Sequence, residues 1–380
     1  MDGLAPITLP RMTDRTIHPD VLHRWVADLF LAAGSSTTEA RLTADHLVLS
    51  NLSGHDSHGV GMVPRYVKAI AAGELVLNQD VEVVTDTGSL MVIDAHRGIG
   101  QSVTHQAMEI AIARAKDTGV CVMGLRNSHH LGRVGHWAEQ AVAQDLISIH
   151  FTNAVSQHWV APYGAAEARF VTNPFTVGIP RSEADGGPIV LDFATSAIAQ
   201  GKVRVAYNAG KKTPEGALMD HEGKLTTNPG VLFEPVDGRI GALTTMAAHK
   251  GYALAMVCEL LGAALTGGSV TIPANQPKAG VWNNMLTIVF DPARFGTQNA
   301  FEHSTRDFVD WVKSARLADG HSEIMMPGDP ERKSRKARAA AVPIDEGTIA
   351  EMDAALATVR TSPVVHSALP ATLASLMQTG

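Results

Sequence analysis

Apolar positions recur along this chain with two different periods, and the change of period divides it. From His18 to Ala72 the spacing is helical. His18 to Ala33 reads as one helix, with Pro19 and Asp20 suited to its first turn and Gly34 to its end. Ser36-Thr37-Thr38-Glu39 has the form of a capping box, in which hydroxyl and carboxylate satisfy the free N–H groups of a helix start, and the helix it opens runs to about Asn51. A third helix covers about Pro64 to Ala72 and stops at Gly73. The period then falls to two. Val81 to Thr85 and Ser89 to Asp94 alternate like strands about the turn Asp86-Thr87-Gly88. After the glycine loop His96 to Gly100, Gln101 to Thr118 carries Val103, Ala107, Ile110, Ala111 and Ala115 on one helical face and ends at Gly119.

Strands and helices alternate from there. Strands are expected at Val120 to Leu125, Leu146 to Phe151, Phe175 to Pro180, Pro188 to Phe193 and Asn283 to Phe290. Helices are expected up to about Gln144, from Ala194-Thr195-Ser196 onward, and over Tyr252 to Leu265, Phe301 to Ala315, Ile344 to Val359 and Leu369 to Met377. Asn208 to Gly230 is turn-rich, and Met325 to Glu331 reads as a Pro-Gly loop. No repeat or low-complexity linker interrupts the pattern. It predicts an α/β chain in three parts: a helical part over 14–80, an α/β part over 81–300, and a helical part over 301–380 that packs back on the first.

A length of 380 residues is ample for a large core, and 45% apolar with 18% charged residues is an ordinary soluble composition. The net charge of −7, without a dense basic stripe, argues against nucleic acid as a partner. The one basic run, Arg332-Lys333-Ser334-Arg335-Lys336-Ala337-Arg338, is flanked by acids and reads as a solvated helix face. Cys121 and Cys258 sit in apolar segments and form no CxxC pair, which fits reduced thiols in a cytoplasmic protein and excludes a cysteine zinc site. The tail Met1 to Arg15 has no apolar run of the kind a signal peptide needs. No stretch approaches the roughly 18 apolar residues of a membrane span.

Reactive side chains concentrate in a few places. His55-Asp56-Ser57-His58-Gly59-Val60-Gly61-Met62-Val63-Pro64-Arg65-Tyr66 packs a carboxylate, a hydroxyl and two imidazoles beside two glycines, at a helix end. An imidazole moves a proton at little cost near neutral pH. Asp56 and Ser57 would equally serve as helix caps. In Asn127-Ser128-His129-His130-Leu131-Gly132-Arg133-Val134-Gly135-His136-Trp137 a strand gives way to a helix, where free backbone N–H groups suit an anion such as a pyrophosphate. Its three histidines have no acidic partner at ligand spacing, so no metal is expected. Asp192 stands at the carboxyl end of a strand, a usual place for chemistry in α/β proteins and also for an N-cap. His249-Lys250 puts positive charge at a helix start, against the helix dipole, which a bound anion would explain. No G-x-G-x-x-G follows a strand, so a standard dinucleotide fold is not supported, and no G-x-S-x-G elbow marks a serine hydrolase. These residues alone reach as far as an α/β enzyme with histidine acid/base chemistry.

The joint occurrence of Asp56-Ser57-His58-Gly59-Val60, Asn127-Ser128-His129-His130-Leu131-Gly132, Thr172-Asn173-Pro174, Leu191-Asp192-Phe193-Ala194-Thr195-Ser196 and His249-Lys250-Gly251-Tyr252 goes further. In this order they resemble the malate/L-lactate dehydrogenase family of the non-Rossmann type. Gly61-Met62-x-Pro64 and Pro327-Gly328 are similar to its bacterial hydroxycarboxylate dehydrogenase branch. The resemblance implies a non-Rossmann three-layer α/β/α fold with a mixed sheet, a cytoplasmic homodimer, and hydride transfer between a 2-hydroxy acid and a nicotinamide cofactor, NAD ahead of NADP. The substrate would be a small 2-hydroxy or 2-oxo acid, with no membrane and no nucleic acid involved. Reduction of a cyclic imine of the Δ1-piperideine-2-carboxylate type is the alternative within the same fold, and a metal-dependent lyase or hydrolase the alternative outside it. The resemblance assigns acid/base chemistry to His58 with Ser57 and Asp192, and keeps His130 as second candidate. It places cofactor contacts at His58, Gly132, Arg133, Val134, Val190, Leu191, Asp192, Phe193, Ala194, His249, Asn283, Gly328, Asp329, Pro330 and Glu331, with Arg133 facing a phosphate. Family members often hold the substrate carboxylate with an arginine four residues after the histidine; here that position is Met62, which leaves Arg65 and Arg204 as candidates and points to a bulkier or less charged side group than that of malate.

Overall fold

The computed structural model describes residues 15–208, 210–362 and 365–377. The tail Met1 to Arg15 therefore lies almost wholly outside the described residues. In chain order the strands are β1 (Arg15–Ile17), β2 (Glu82–Asp86), β3 (Leu90–Asp94), β4 (Val120–His129), β5 (Ile147–Val155), β6 (Phe175–Ile179), β7 (Ile189–Phe193), β8 (Leu218–Met219), β9 (Leu225–Thr226), β10 (Ala242–Leu243), β11 (Trp282–Phe290) and β12 (Val342–Ile344). The helices are α1 (Pro19–Ala33), α2 (Thr37–Leu52), α3 (Val63–Ala71), α4 (Gly100–Thr118), α5 (Gly135–Val142), α6 (Gln200–Asn208), α7 (His249–Glu259), α8 (Gln298–Lys313), α9 (Asp329–Arg338), α10 (Glu346–Arg360) and α11 (Leu373–Leu376).

The helical part forms because α1 and α2 stop where their sequences say they should. Gly34 closes α1 in the left-handed conformation at φ 108°, and the Ser36 hydroxyl accepts the Glu39 N–H to open α2. Their apolar faces meet α3 and α10 in one core that includes Trp25, Phe30, Leu47, Tyr66, Met352 and Leu356. β1 and β12 pair antiparallel, so the two ends of the chain close the same body.

The second body is a seven-stranded sheet in the order β2-β3-β4-β11-β5-β6-β7. Only β3 and β4 run parallel; the other neighbours are antiparallel, so the sheet is mixed, as expected. Alternation along β4 sends Cys121, Met123 and Leu125 to a core shared with α4 and α5. Gly124 faces the other way, where a Cβ would meet Thr266 at 2.9 Å just beyond α7. Helices thus cover both faces. A three-stranded sheet, β10-β8-β9, supports α6 through Val203 in a small apolar cluster.

Three expectations need correction. The helix placed at Ala194-Thr195-Ser196 starts only at Gln200, because Thr195 and Ala197 are tied to Thr172 and Thr244 by backbone hydrogen bonds. Leu369 to Met377 is helical only over Leu373–Leu376. The basic run is helix α9, but its arginines are not solvated. Arg332 donates to the Pro188 carbonyl at 2.7 Å, Arg335 to Ser53 Oγ at 2.8 Å, and Arg338 to the Asn51 carbonyl at 2.6 Å and Asp56 at 2.7 Å. Spaced three apart, these side chains share one face, and acceptors from both bodies converge on it.

Candidate active site

Two loops meet where the bodies meet. The first follows α2. Asn51 uses its amide twice: Nδ2 donates to Asp56 Oδ1 at 2.8 Å, and Oδ1 accepts the Val60 N–H at 2.8 Å. This bridges the short turns holding Ser57 and His58. The same Oδ1 occupies the space a Cβ on residue 59 would need, which is why Gly59 stands there. Arg338 pairs with Asp56 from α9, and the His55 Nε2–H donates to Glu331 Oε1 at 2.9 Å. Glu331 is therefore engaged with the loop it was expected to accompany only as a cofactor contact.

The second loop leaves β4 and enters α5. Gly132 adopts φ 72°, and its missing Cβ makes room for the His46 ring from α2. His46 Nε2 accepts the Arg133 N–H at 2.9 Å, so that imidazole carries its proton on Nδ1. Asn283 Oδ1 accepts the Leu131 N–H at 3.0 Å, while its Nδ2 donates to the Asn153 carbonyl at 2.7 Å. The register of β11 against β4 shifts between Asn283 and Met285, a bulge that serves this contact. Behind it lies a buried polar network: Asn284 Nδ2 donates to Asn153 Oδ1 at 2.9 Å, and Asn173 Nδ2 to the carboxylate of Glu259 at 2.8 Å.

The loops bring two imidazoles face to face. The His58 and His130 rings stack with centroids 5.7 Å apart and planes 19° apart. Ser57 Oγ shares a hydrogen bond with His58 Nδ1 at 3.0 Å, and Tyr66 Oη one with His130 Nδ1 at 2.8 Å. Burial lowers the His58 pKa to about 4, helped by His55 and opposed by the negative charge of Asp192. His130 is held well below its ordinary value by burial and by His58, His129 and Arg65.

Asp192 lies near but does not bond to His58. Its Oδ2 accepts the Gly135 N–H at 2.8 Å and its Oδ1 the Thr176 hydroxyl at 2.8 Å. The carboxylate orients nothing on the imidazole directly; Ser57 holds Nδ1 instead. Asp192 is thus a cap, though of α5 rather than of the next helix in sequence. This also corrects the picture of α5 as an open anion site, since its leading N–H already has an anion. Arg133 is corrected likewise: it is 2% exposed, and its guanidinium pairs with Glu139, which also pairs with Arg335. The side chain expected to face a phosphate is an internal strut.

The other expected cofactor positions lie along β7 and just beyond it. The Val190 N–H donates to the Pro327 carbonyl at 3.1 Å, which brings Gly328, Asp329 and Pro330 alongside. The Met246 N–H donates to the Thr195 carbonyl at 2.9 Å, bringing the start of α7 to the residues after Phe193 and Ala194. There Ala247 and Ala248 hold φ of 45° and 54°, and His249 and Lys250 are exposed with no side-chain cap. The strained backbone and the exposed charge of Lys250 would suit an anionic ligand better than the capped α5 does. No group of three or more His, Cys, Asp and Glu among the described residues is arranged to hold a metal ion.

Of the substrate candidates, Met62 is 8% exposed and packs in the helical core, because the turn entering α3 points residues 62, 63, 66 and 67 inward. Arg65 is exposed and forms no ion pair within 4.0 Å among the described residues; Arg204 nearby opposes its charge and Glu351 favours it. Arg204 lies over the Phe233 ring at 4.6 Å. Gly201, one helical turn earlier on α6, would place a Cβ 3.0 Å from Ser57 Cβ, so α6 borders the His58 loop.

Residues 17–353 match the malate/L-lactate dehydrogenase family. The chain is 43% identical over 331 residues to hydroxycarboxylate dehydrogenase B of Escherichia coli (strain K12), covering 86% of this chain and 90% of that protein. It is 34% identical over 315 residues to a Δ1-pyrroline-2-carboxylate/Δ1-piperideine-2-carboxylate reductase of Pseudomonas syringae pv. tomato, covering 82% and 86%. The solved sulfolactate dehydrogenase of Methanocaldococcus jannaschii superposes with a TM-score of 0.81 at 30% identity, over 91% of this chain and 97% of that one.

Proposed function

Because the chain belongs to the malate/L-lactate dehydrogenase family, and its relatives include hydroxycarboxylate and lactate dehydrogenases, we propose that it interconverts a 2-hydroxy acid and the 2-oxo acid with His58 as the proton-transferring group. The observation that carries this reading is the stacked pair His58–His130 at the junction of the two bodies, with Ser57 on His58 Nδ1. A pKa near 4 leaves the His58 ring neutral at pH 7, ready to accept the C2 hydroxyl proton. The charge of Asp192 favours the imidazolium that results. A nicotinamide cofactor, NAD ahead of NADP, supplies the hydride acceptor when bound; His249 and Lys250 at the start of α7 and the Val190–Gly328 junction would hold it. Arg65, which has no ion pair among the described residues and lies beside Arg204, suits the substrate carboxylate.

The assignment extends to a cytoplasmic homodimer. Both cysteines are free and buried, and Val257, Leu260 and Leu265 expose an apolar strip along α7 and the turn after it. Sedimentation at micromolar concentration checks the dimer. A second reading, reduction of a cyclic imine, draws on the similarity to the Pseudomonas syringae reductase. NADH and NADPH oxidation against 2-oxo acids and cyclic imines separates the two, and His58→Ala should lower kcat/KM by about 100-fold or more. Full activity of that variant on every substrate would overturn the role given to His58.

A further inference from the structure

The hydrogen-bond chain behind His130 fixes which of its nitrogens carries the proton. The His130 carbonyl oxygen can only accept, and Gln101 Nε2 lies 3.3 Å from it, so the amide of Gln101 presents its NH2 group there. The same nitrogen lies 2.9 Å from Tyr66 Oη. The phenol oxygen receives an N–H from Gln101, and among the described residues His130 Nδ1, at 2.8 Å, is the one acceptor within reach of the phenol's single proton. Burial raises the Tyr66 pKa, so the phenol remains a donor. With Nδ1 accepting, a neutral His130 must be protonated on Nε2, at the opposite edge of the ring.

On the dehydrogenase reading above, we infer that His130 acts as a neutral N–H donor to the C2 oxygen of the substrate, with Gln101 and Tyr66 as the positioning residues that set its tautomer. Protonating the ring would put an N–H on Nδ1 against Tyr66, whose hydroxyl would then lose its acceptor in a buried place. Tyr66 stays a neutral phenol, and the other titratable or charged groups that bear on the ring, His58, His129 and Arg65, are neutral or positive and each opposes a second proton. The two stacked histidines thereby divide the work. In oxidation the C2 hydroxyl proton passes to His58 and the hydride leaves for the cofactor. His130 keeps its proton and strengthens its hydrogen bond as negative charge grows on the oxygen. In reduction the same N–H polarises the carbonyl, and His58 delivers the proton.

The tautomer can be read without turnover. In full-length protein labelled with 15N-histidine, long-range 1H–15N correlation identifies the His130 signals as those lost in His130→Gln. Nδ1 should show the shift of an unprotonated nitrogen and Nε2 that of an N–H, unchanged from pH 5 to 9. Tyr66→Phe should let the signals move toward a tautomer mixture and lower kcat about 10-fold with little change in KM, as loss of one oriented donor does. Gln101→Glu supplies an acceptor in place of a donor; it should take the phenol proton and invert the His130 tautomer. A proton on Nδ1 of wild-type His130, or a His130 that titrates near pH 6.5, overturns the inference while leaving 2-hydroxy acid oxidation standing. Absence of any nicotinamide-linked activity would instead remove the reading it rests on, and the tautomer would remain as measured.

Discussion

The loop over His55 to Met62 and the loop over His129 to Gly135 both present a histidine to the same site, yet they are held by different physics. The first is fastened from outside by charge. Arg338 reaches Asp56, half exposed at 52%, and Glu331 reaches His55, both from α9. The second is fastened from within: apart from the Asp192 carboxylate on the Gly135 N–H, its fasteners are neutral, namely the His46 ring, the Asn283 amide, the Gln101 amide and the Tyr66 phenol, all nearly inaccessible to solvent. On the roles proposed above, a site that transfers a proton would gain from both. The imidazole that would accept the charge, His58, feels the Asp192 carboxylate, and the one that would keep its tautomer, His130, sits where a charge is costly.

The sharpest test of the difference is Gly132→Ala. The substitution forces an L side chain to φ 72° and drives a Cβ into His46. Left-handed strain and overpacking together cost about 2–5 kcal/mol, a large share of an ordinary folding free energy. Chemical denaturation measures it. A loss under about 1 kcal/mol would mean that the second loop is far softer than its packing indicates.

Acid comes next. His129 is fully buried, neither ring nitrogen has a partner among the described residues, and burial lowers its pKa to about 3; His136 falls to about 4. An unfolded chain takes up these protons below about 6.5, whereas the folded protein refuses them until the lower values are reached. The stability they contribute is complete above about pH 6.5 and is lost as pH falls from there toward 3–4, with a slope near 1.4 kcal/mol per pH unit for each such group. The Tm should fall steeply between pH 6.5 and 4.5 and the fall should be shallower in His129→Gln. A Tm as high at pH 4.5 as at 7 would remove the buried-histidine account of the second loop.

How far these features can be read from the sequence follows the same division. The two histidine motifs, Asp192 and the helix starts at Pro19 and Ser36 are local patterns, visible because caps and clusters are written in neighbouring residues. His46, Tyr66 and Gln101 are not visible that way, since their roles depend on which helix faces which loop. One clue was present: Thr43, His46, Ser50 and Asn51 repeat at helical spacing on the buried side of α2, where apolar residues would be the rule. The arginines of α9 were misread because charge runs are usually solvated, and their acceptors, Asn51, Ser53, Glu139 and Pro188, come from distant positions. Arg133 was misread for a related reason: the phosphate-like partner it matched was an internal carboxylate, Glu139. The strand order, with β11 inserted between β4 and β5, is likewise a long-range fact that periodicity does not contain.

The outer fastening is the weaker one, and Arg338→Gln should show it. An ion pair with an exposed carboxylate contributes about 0.2–1 kcal/mol, so the Tm should hardly move. The His58 loop loses one of its fasteners, and kcat should drop a few-fold with a similar drop produced in the wild type by molar salt. The variant itself, left with only the Glu331–His55 contact, should be less sensitive to salt. Equal salt sensitivity in both proteins would show that α9 does not fasten the loop through charge.

The smallest effect should come from Gly61→Ala, and it bears on where the first loop is rigid. A Cβ at residue 61 would meet Thr348 Cγ2 at 3.6 Å and the Asp56 carbonyl at 3.9 Å, both ordinary contacts. Residue 61 is not among the positive-φ glycines, so its backbone already suits an L side chain. The expected change in stability is within about 0.5 kcal/mol, with kcat/KM close to that of the wild type. Two residues earlier the situation reverses, because the Asn51 amide fills the space beside Gly59 and Gly59→Ala would break both of its hydrogen bonds. The first loop is then firm only at its Asn51 bridge and yielding elsewhere, whereas the second is firm at the turn that carries its histidine. If Gly61→Ala proved as damaging as Gly132→Ala, the first loop would be sterically locked as well, and fastening by charge would no longer distinguish it.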